Sequence, residues 1–170
     1  MRAVLIDPYA HLTPGRGACE EIEIEDSLAA MYRALSDSEN GHACSMVEVA
    51  TQDAQGNVYW VDEEGLMKGH SGFVVLAGAH QPFAGRMLIT GSTPDGGNAD
   101  IATDFLELAR RVGTVQAFPG GANVGLADGE DWLGGHMLGN AQKIAADLQE
   151  HLEERLGISA PDEAPAGPGL

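Results

Sequence analysis

Residues 56–92, GNVYWVDEEGLMKGHSGFVVLAGAHQPFAGRMLITGS, constrain the fold more than any other part of the chain. Three short apolar runs lie in this stretch, at 58–61, 73–77 and 87–90, set off by Gly, Asp and Pro. Runs of this length between turn residues read as strands buried on at least one face. The intervals between them are too short for crossover helices, so the strands are expected to pair mostly antiparallel.

The rest of the chain extends that pattern. Residues 2–6 form a short buried strand that Asp7-Pro8 ends, because proline cannot continue a central ladder. Residues 21–25 alternate Glu-Ile-Glu-Ile-Glu, which predicts a half-exposed strand with Ile22 and Ile24 inward and charges outward that guard the edge. Asp26 or Ser27 can cap a helix over 28–35, with Leu28, Met31, Tyr32 and Leu35 on one face. Residues 46–50 and 58–61 are expected to form a hairpin. A helix is predicted over 100–112, where Ile101, Phe105, Leu108 and Val112 share a face and Gly113 follows. A last strand is expected at 114–118, and 119–139 reads as a Gly-rich irregular connection. A C-terminal helix is predicted over 140–157, striped by Ala141, Ile144, Ala145, Leu148 and Leu152, and 158–170 as a disordered tail. The expected fold is therefore α+β: residues 1–118 as a domain with a mostly antiparallel sheet and helices on one face, followed by the connection, the C-terminal helix and the tail.

Charge narrows the function. The chain carries 26 acidic and nine basic residues, a formal charge of −17, with Lys68 and Lys143 as its two lysines. Residues 20–64 sum to −11, whereas 65–94 contain no carboxylate and sum to +2. A field of this sign repels nucleic acid and anionic lipid, so direct binding to either is disfavoured. There is no apolar run of membrane-spanning length and no secretory signal pattern. Cys19 and Cys44, 25 residues apart, read as free thiols in a reducing compartment, which makes the cytoplasm the expected location.

No catalytic signature stands out. The glycine loop at 92–98 lacks the Lys-Ser/Thr of a P-loop, and Asp128, Glu130 and Asp131 lack EF-hand spacing. The six histidines show no zinc-ligand spacing, and no Gly-x-Ser-x-Gly occurs. No cofactor or metal is called for. Two binding surfaces are candidates. One is a cationic, glycine-lined rim formed by Lys68, His70, His80 and Arg86, suited to an anionic ligand or an acidic loop. The other is an acidic partner surface of Glu20, Glu21, Glu23, Glu25, Asp62, Glu63 and Glu64, which could meet a basic protein groove; the same acidity also suits plain solubility or a salty cytoplasm.

The opening Met1-Arg-Ala-Val-Leu-Ile-Asp-Pro8, the acidic alternating strand, Val61-Asp-Glu-Glu-Gly65, Phe73-Val-Val-Leu-Ala-Gly78 and Gln81-Pro-Phe-Ala-Gly-Arg86 together resemble a small family found in phages, plasmids and other mobile elements. The likeness covers roughly residues 1–92. That family has no assigned chemistry, so the resemblance implies a mobile-element origin and carries no catalytic residue over. The expectation is a non-catalytic accessory protein that binds a basic host protein, through nucleic-acid mimicry or an anti-defence role. Two alternatives stand beside it: a small anionic-ligand binder or enzyme using the Lys68/His70/His80/Arg86 rim, and an assembly protein that oligomerises through its C-terminal helix.

Overall fold

The computed structural model describes residues 1–10, 18–79, 81–118 and 121–126, with Lys143, Ala146, Asp147 and Glu150 further on; at 117–118 and 121–126 it describes the backbone alone. Ten strands and two α-helices occur among the described residues up to 126: β1 (Arg2–Ile6), β2 (Cys19–Glu23), α1 (Leu28–Leu35), β3 (Val47–Gln52), β4 (Asn57–Asp62), β5 (Gly72–Leu76), β6 (Phe83–Ala84), β7 (Met87–Ser92), β8 (Asn98–Ala99), α2 (Phe105–Ala109), β9 (Val112–Phe118) and β10 (Gly121–Leu126). They build two sheets rather than one. The larger runs β2-β1-β7-β4-β3, with β8 appended to β7; the smaller runs β10-β9-β5-β6. All pairings between these strands are antiparallel.

The three inner strands of the large sheet are apolar on both faces, which is why their sequences are continuous apolar runs rather than alternating ones. On one face Val4, Ile6, Tyr59, Val61, Met87 and Ile89 meet Val74 and Leu76 of β5 and Val112 of β9. On the other face Ala3 and Leu88 meet Met31 and Leu35 of α1, with Cys44. The helix starts where Ser27 Oγ accepts from the Ala30 N–H, and its apolar stripe lies on the sheet.

The helices do not share a face, contrary to the expectation. The Met31 and Leu35 side of α1 covers one side of the large sheet, while Leu108 and Ala109 of α2 join the core on the other. The predicted helix over 100–112 shrinks to five residues. Asp100 accepts from the Arg2 N–H, the Ile101 N–H donates to Arg2 O, and the Ala102 N–H donates to Asn57 Oδ1, so these residues are tied to the sheet. Asp104 then caps α2, and Val112 already belongs to β9, paired with Leu76. Ile101, Leu108 and Val112 do face one core, as their spacing implied, but from separate elements.

The 119–139 connection is also corrected in part, since Gly121–Leu126 forms β10 against β9. The hairpin of β3 and β4 forms as expected, with a bulge between Val49 and Thr51. Its turn is set by Asp53, whose Oδ1 accepts from the Gln55 and Asn57 N–H groups. Lys143, Ala146, Asp147 and Glu150 are helical; the remainder of the predicted 140–157 helix and the 158–170 tail lie outside the described residues.

Gly91 is fixed by close approach. A Cβ added there would sit 1.9 Å from Asp100 O, because β8 and the chain after it cross directly over β7. Gly91→Ala is expected to lower stability by about 3 kcal/mol through this overlap, read as a shift of the urea unfolding midpoint; an unchanged midpoint would show that the crossing is looser than described.

Candidate functional site

The expected cationic rim is a packed network. Lys68 follows the 3-10 turn Gly65–Met67, and its Nζ lies 2.5 Å from Asp62 Oδ2, 2.6 Å from Ala43 O and 3.6 Å from Glu64 Oε2. Arg86 follows Gly85, whose positive φ supplies the turn between β6 and β7. Its Nη1 donates to Ser36 O, and its Nη2 lies 3.0 Å from Asp7 Oδ2 and 3.8 Å from Asp37 Oδ1. Both aspartates are buried. One guanidinium thus joins the end of β1, the residues after α1 and the start of β7.

His70 is 5% exposed. The Tyr9 hydroxyl accepts from the Gly72 N–H at 2.9 Å and lies within hydrogen-bond distance of His70 Nδ1, 3.0 Å away, with the direction of that second bond set by the ring tautomer. The His42 ring stacks against His70 with centroids 3.9 Å apart. Burial, assisted by His42, holds the His70 pKa down at about 4, so the ring is neutral near pH 7. Lys68, His70 and Arg86 are therefore brought to neighbouring networks, but both cations are neutralised by carboxylates of the same chain. His80 lies outside the described residues.

The acidic residues separate. Glu20, Glu21, Glu23 and Glu25 are exposed, as is Asp26, and the first three lie on β2 at the edge of the large sheet. Glu63 is exposed as well, but at the far end of β4, with β1 and β7 between it and β2. Asp62 is only 7% exposed and bonded to Lys68, so it is a buried partner rather than part of a surface; Glu64 is half-buried beside the same ammonium.

A cleft with no obvious local sequence signal opens between the β3–β4 hairpin and the end of β5. Its volume is about 510 Å³, and Ala50, Leu76, Ala79 and Phe83 supply apolar wall. At its polar end Asp53 Oδ2 accepts from Asn57 Nδ2, Tyr59 Oη and Arg111 Nη1, and Arg111 Nη2 also pairs with Glu107. Bonds from Asn57 and Tyr59 outweigh the effect of burial and hold the Asp53 carboxyl below its usual range. Burial beside that carboxylate pushes Tyr59 up to about 12. The hydroxyl is thus a fixed donor, not a base. Cys19 and Cys44 are both buried, and burial raises Cys44 to about 11, which keeps it a thiol.

Among the described residues no group of three or more His, Cys, Asp or Glu is placed to hold a metal ion, and no helix is long and apolar enough to cross a membrane. No protein-family model matches the chain, and no curated protein or solved structure matches it either.

Removing Arg86 strands two buried carboxylates. Arg86→Ala is expected to cost about 3–5 kcal/mol in urea unfolding; a loss no larger than that of a surface arginine would contradict the network. His70 gives a pH signature. Its folded pKa lies below the ordinary histidine value, so its contribution is complete above about pH 6.5 and is lost as pH falls towards about 4. The stability difference between wild type and His70→Gln should shrink over that window by up to about 3 kcal/mol. A pH-independent difference would contradict a buried neutral imidazole.

Proposed function

We propose that the protein acts by binding, presenting the carboxylates of Glu20, Glu21, Glu23, Glu25 and Asp26 to a basic protein partner. The observation that carries this reading is their placement: five exposed acids within seven consecutive positions, on and just beyond the outermost strand of the large sheet. Unlike Lys68, Arg86 and Arg111, which are paired with carboxylates of the chain, these side chains are exposed, with Asp26 also accepting from Asn98 Nδ2. Several like charges held along one edge attract a basic surface and speed its approach, and they repel nucleic acid. The mobile-element origin implied by the family resemblance makes a host protein the natural partner.

A second reading rests on the cleft. A volume of about 510 Å³ falls within the usual range for small-molecule sites. Asp53 already accepts five hydrogen bonds, so Arg111, Gln52 and Gln81 are the groups left for recognition. Glu107 and Asp53 together outweigh Arg111, which disfavours an anion and favours a neutral, largely apolar molecule with one acceptor.

Charge reversal at the edge separates these readings from general acidity. Wild-type protein should capture a basic partner from a host extract at low salt and release it at high salt. E21K/E23K should lose that capture at unchanged Tm, while the equal charge change at exposed Glu48 and Asp95 should retain it. Equal loss in both variants would mean that net charge, not this edge, is responsible.

A further inference from the structure

The hydrogen-bond phase of β2 says how such a partner would be held. Ile24 exchanges both backbone bonds with Met1, at 2.6 and 3.0 Å. Antiparallel pairs alternate between bonded and non-bonded, so the next bonded residues on this strand are Ile22, opposite Ala3, and Glu20, opposite Leu5. The bond from Asp7 N to Ala18 O continues the same phase. Backbone groups of Ile22 and Glu20 therefore turn towards β1. Those of Glu21 and Glu23 turn the other way, off the end of the sheet, and no described residue pairs with them there.

Side chains on this strand also alternate. Ile22 packs with the α1 cluster, so Glu21 and Glu23 stand on the opposite face. On the α1 side a groove of about 430 Å³ runs beside the strand, lined by Ile22, Ile24, Ala30 and Ala34 and also by Glu25 and Arg33, whose cation favours apolar rather than basic side chains entering it. A chain laid antiparallel along the edge would bond to the Glu21 and Glu23 backbone through the residues directly opposite them. Its residues opposite those glutamates would share their face, and the residues between would lie over Ile22 and the groove.

We propose that β2 accepts an extended partner segment as an added strand, one in which Lys or Arg alternates with apolar residues. Cations meet the Glu21 and Glu23 carboxylates, apolar side chains enter the groove against α1, and main-chain bonds supply the remaining affinity. A second copy of this chain is the wrong occupant, because edge-to-edge pairing would set glutamate against glutamate. This inference rests on the acidic-edge reading and adds to it a register and a sequence pattern.

The test uses the full chain and labelled peptides, read by fluorescence anisotropy. Lys-Val-Lys-Val-Lys-Val-Lys should bind at least about tenfold more tightly than a peptide of the same composition with its lysines grouped. N-methylation of the lysine amides should abolish binding, because those N–H groups face Glu21 and Glu23; N-methylation of the valine amides should not. E21K/E23K should lose the alternating peptide at unchanged Tm. If both sequence orders bind equally and both are lost in E21K/E23K, strand addition is overturned while the acidic-edge reading survives. If neither peptide binds, both fail. Concentration-dependent dimerisation in light scattering, abolished by E21K/E23K, would overturn the proposal in favour of a second copy.

Discussion

β1, β7 and β4 are covered on both faces, and the remaining architecture follows from that demand. Met87 and Ile89 point to one side of β7 while Leu88 points to the other, and each side needs its own apolar partner. The strands of the second sheet, with α2, fill one side; α1 fills the other. Covering the middle of a sheet does not cover its ends. β2 and β3 remain the outermost strands, and each carries exposed glutamate within its length, Glu20, Glu21 and Glu23 on β2 and Glu48 on β3. Edge glutamates discourage pairing between copies, and the same charges select for a basic chain.

Charge is sorted by position. Arg86 and Arg111 bridge elements that are distant in sequence through carboxylates, whereas Lys68 pairs with the nearby Asp62 and Glu64 and reaches the distant Ala43 through its backbone carbonyl. Asp7 and Asp37 are buried around Arg86, and Asp62 is buried beside Lys68. Such pairs fix geometry more than they stabilise, since desolvation offsets much of their attraction. These three basic side chains are thereby held within the fold, while Glu20 to Asp26 form an acidic outer edge with Arg33 exposed beside it.

How much of this was legible depended on range. The alternation at 21–25 and a cap at Asp26 or Ser27 are local signals; the strand forms two residues earlier, over Cys19–Glu23, and Ser27 is the cap. Apolar runs located β4, β5 and β7 because a doubly covered strand needs apolar residues at successive positions. Ile101, Phe105, Leu108 and Val112 misled because spacing reports a shared face, not a shared element; the Asn57 amide and the Arg2 backbone take the start of that segment for the sheet. β10 was missed because the surrounding glycines read as an irregular connection, although Ala122, Val124 and Leu126 alternate as a strand's residues do. Lys68 and Arg86 looked open because residues 65–94 contain no carboxylate, but their partners Asp7, Asp37 and Asp62 come from outside that stretch. The cleft is lined by several separated segments, and no local pattern announces it.

The open edge of β2 is the claim on which function turns, and native-state amide hydrogen exchange resolved by NMR tests it most directly. Glu20 and Ile22, bonded to β1, should exchange slowly, whereas Glu21 and Glu23, between and beside them on the same strand, should exchange near the rate of an exposed loop. Uniform protection along the strand would mean that the outer edge is already covered, and the binding account would be contradicted.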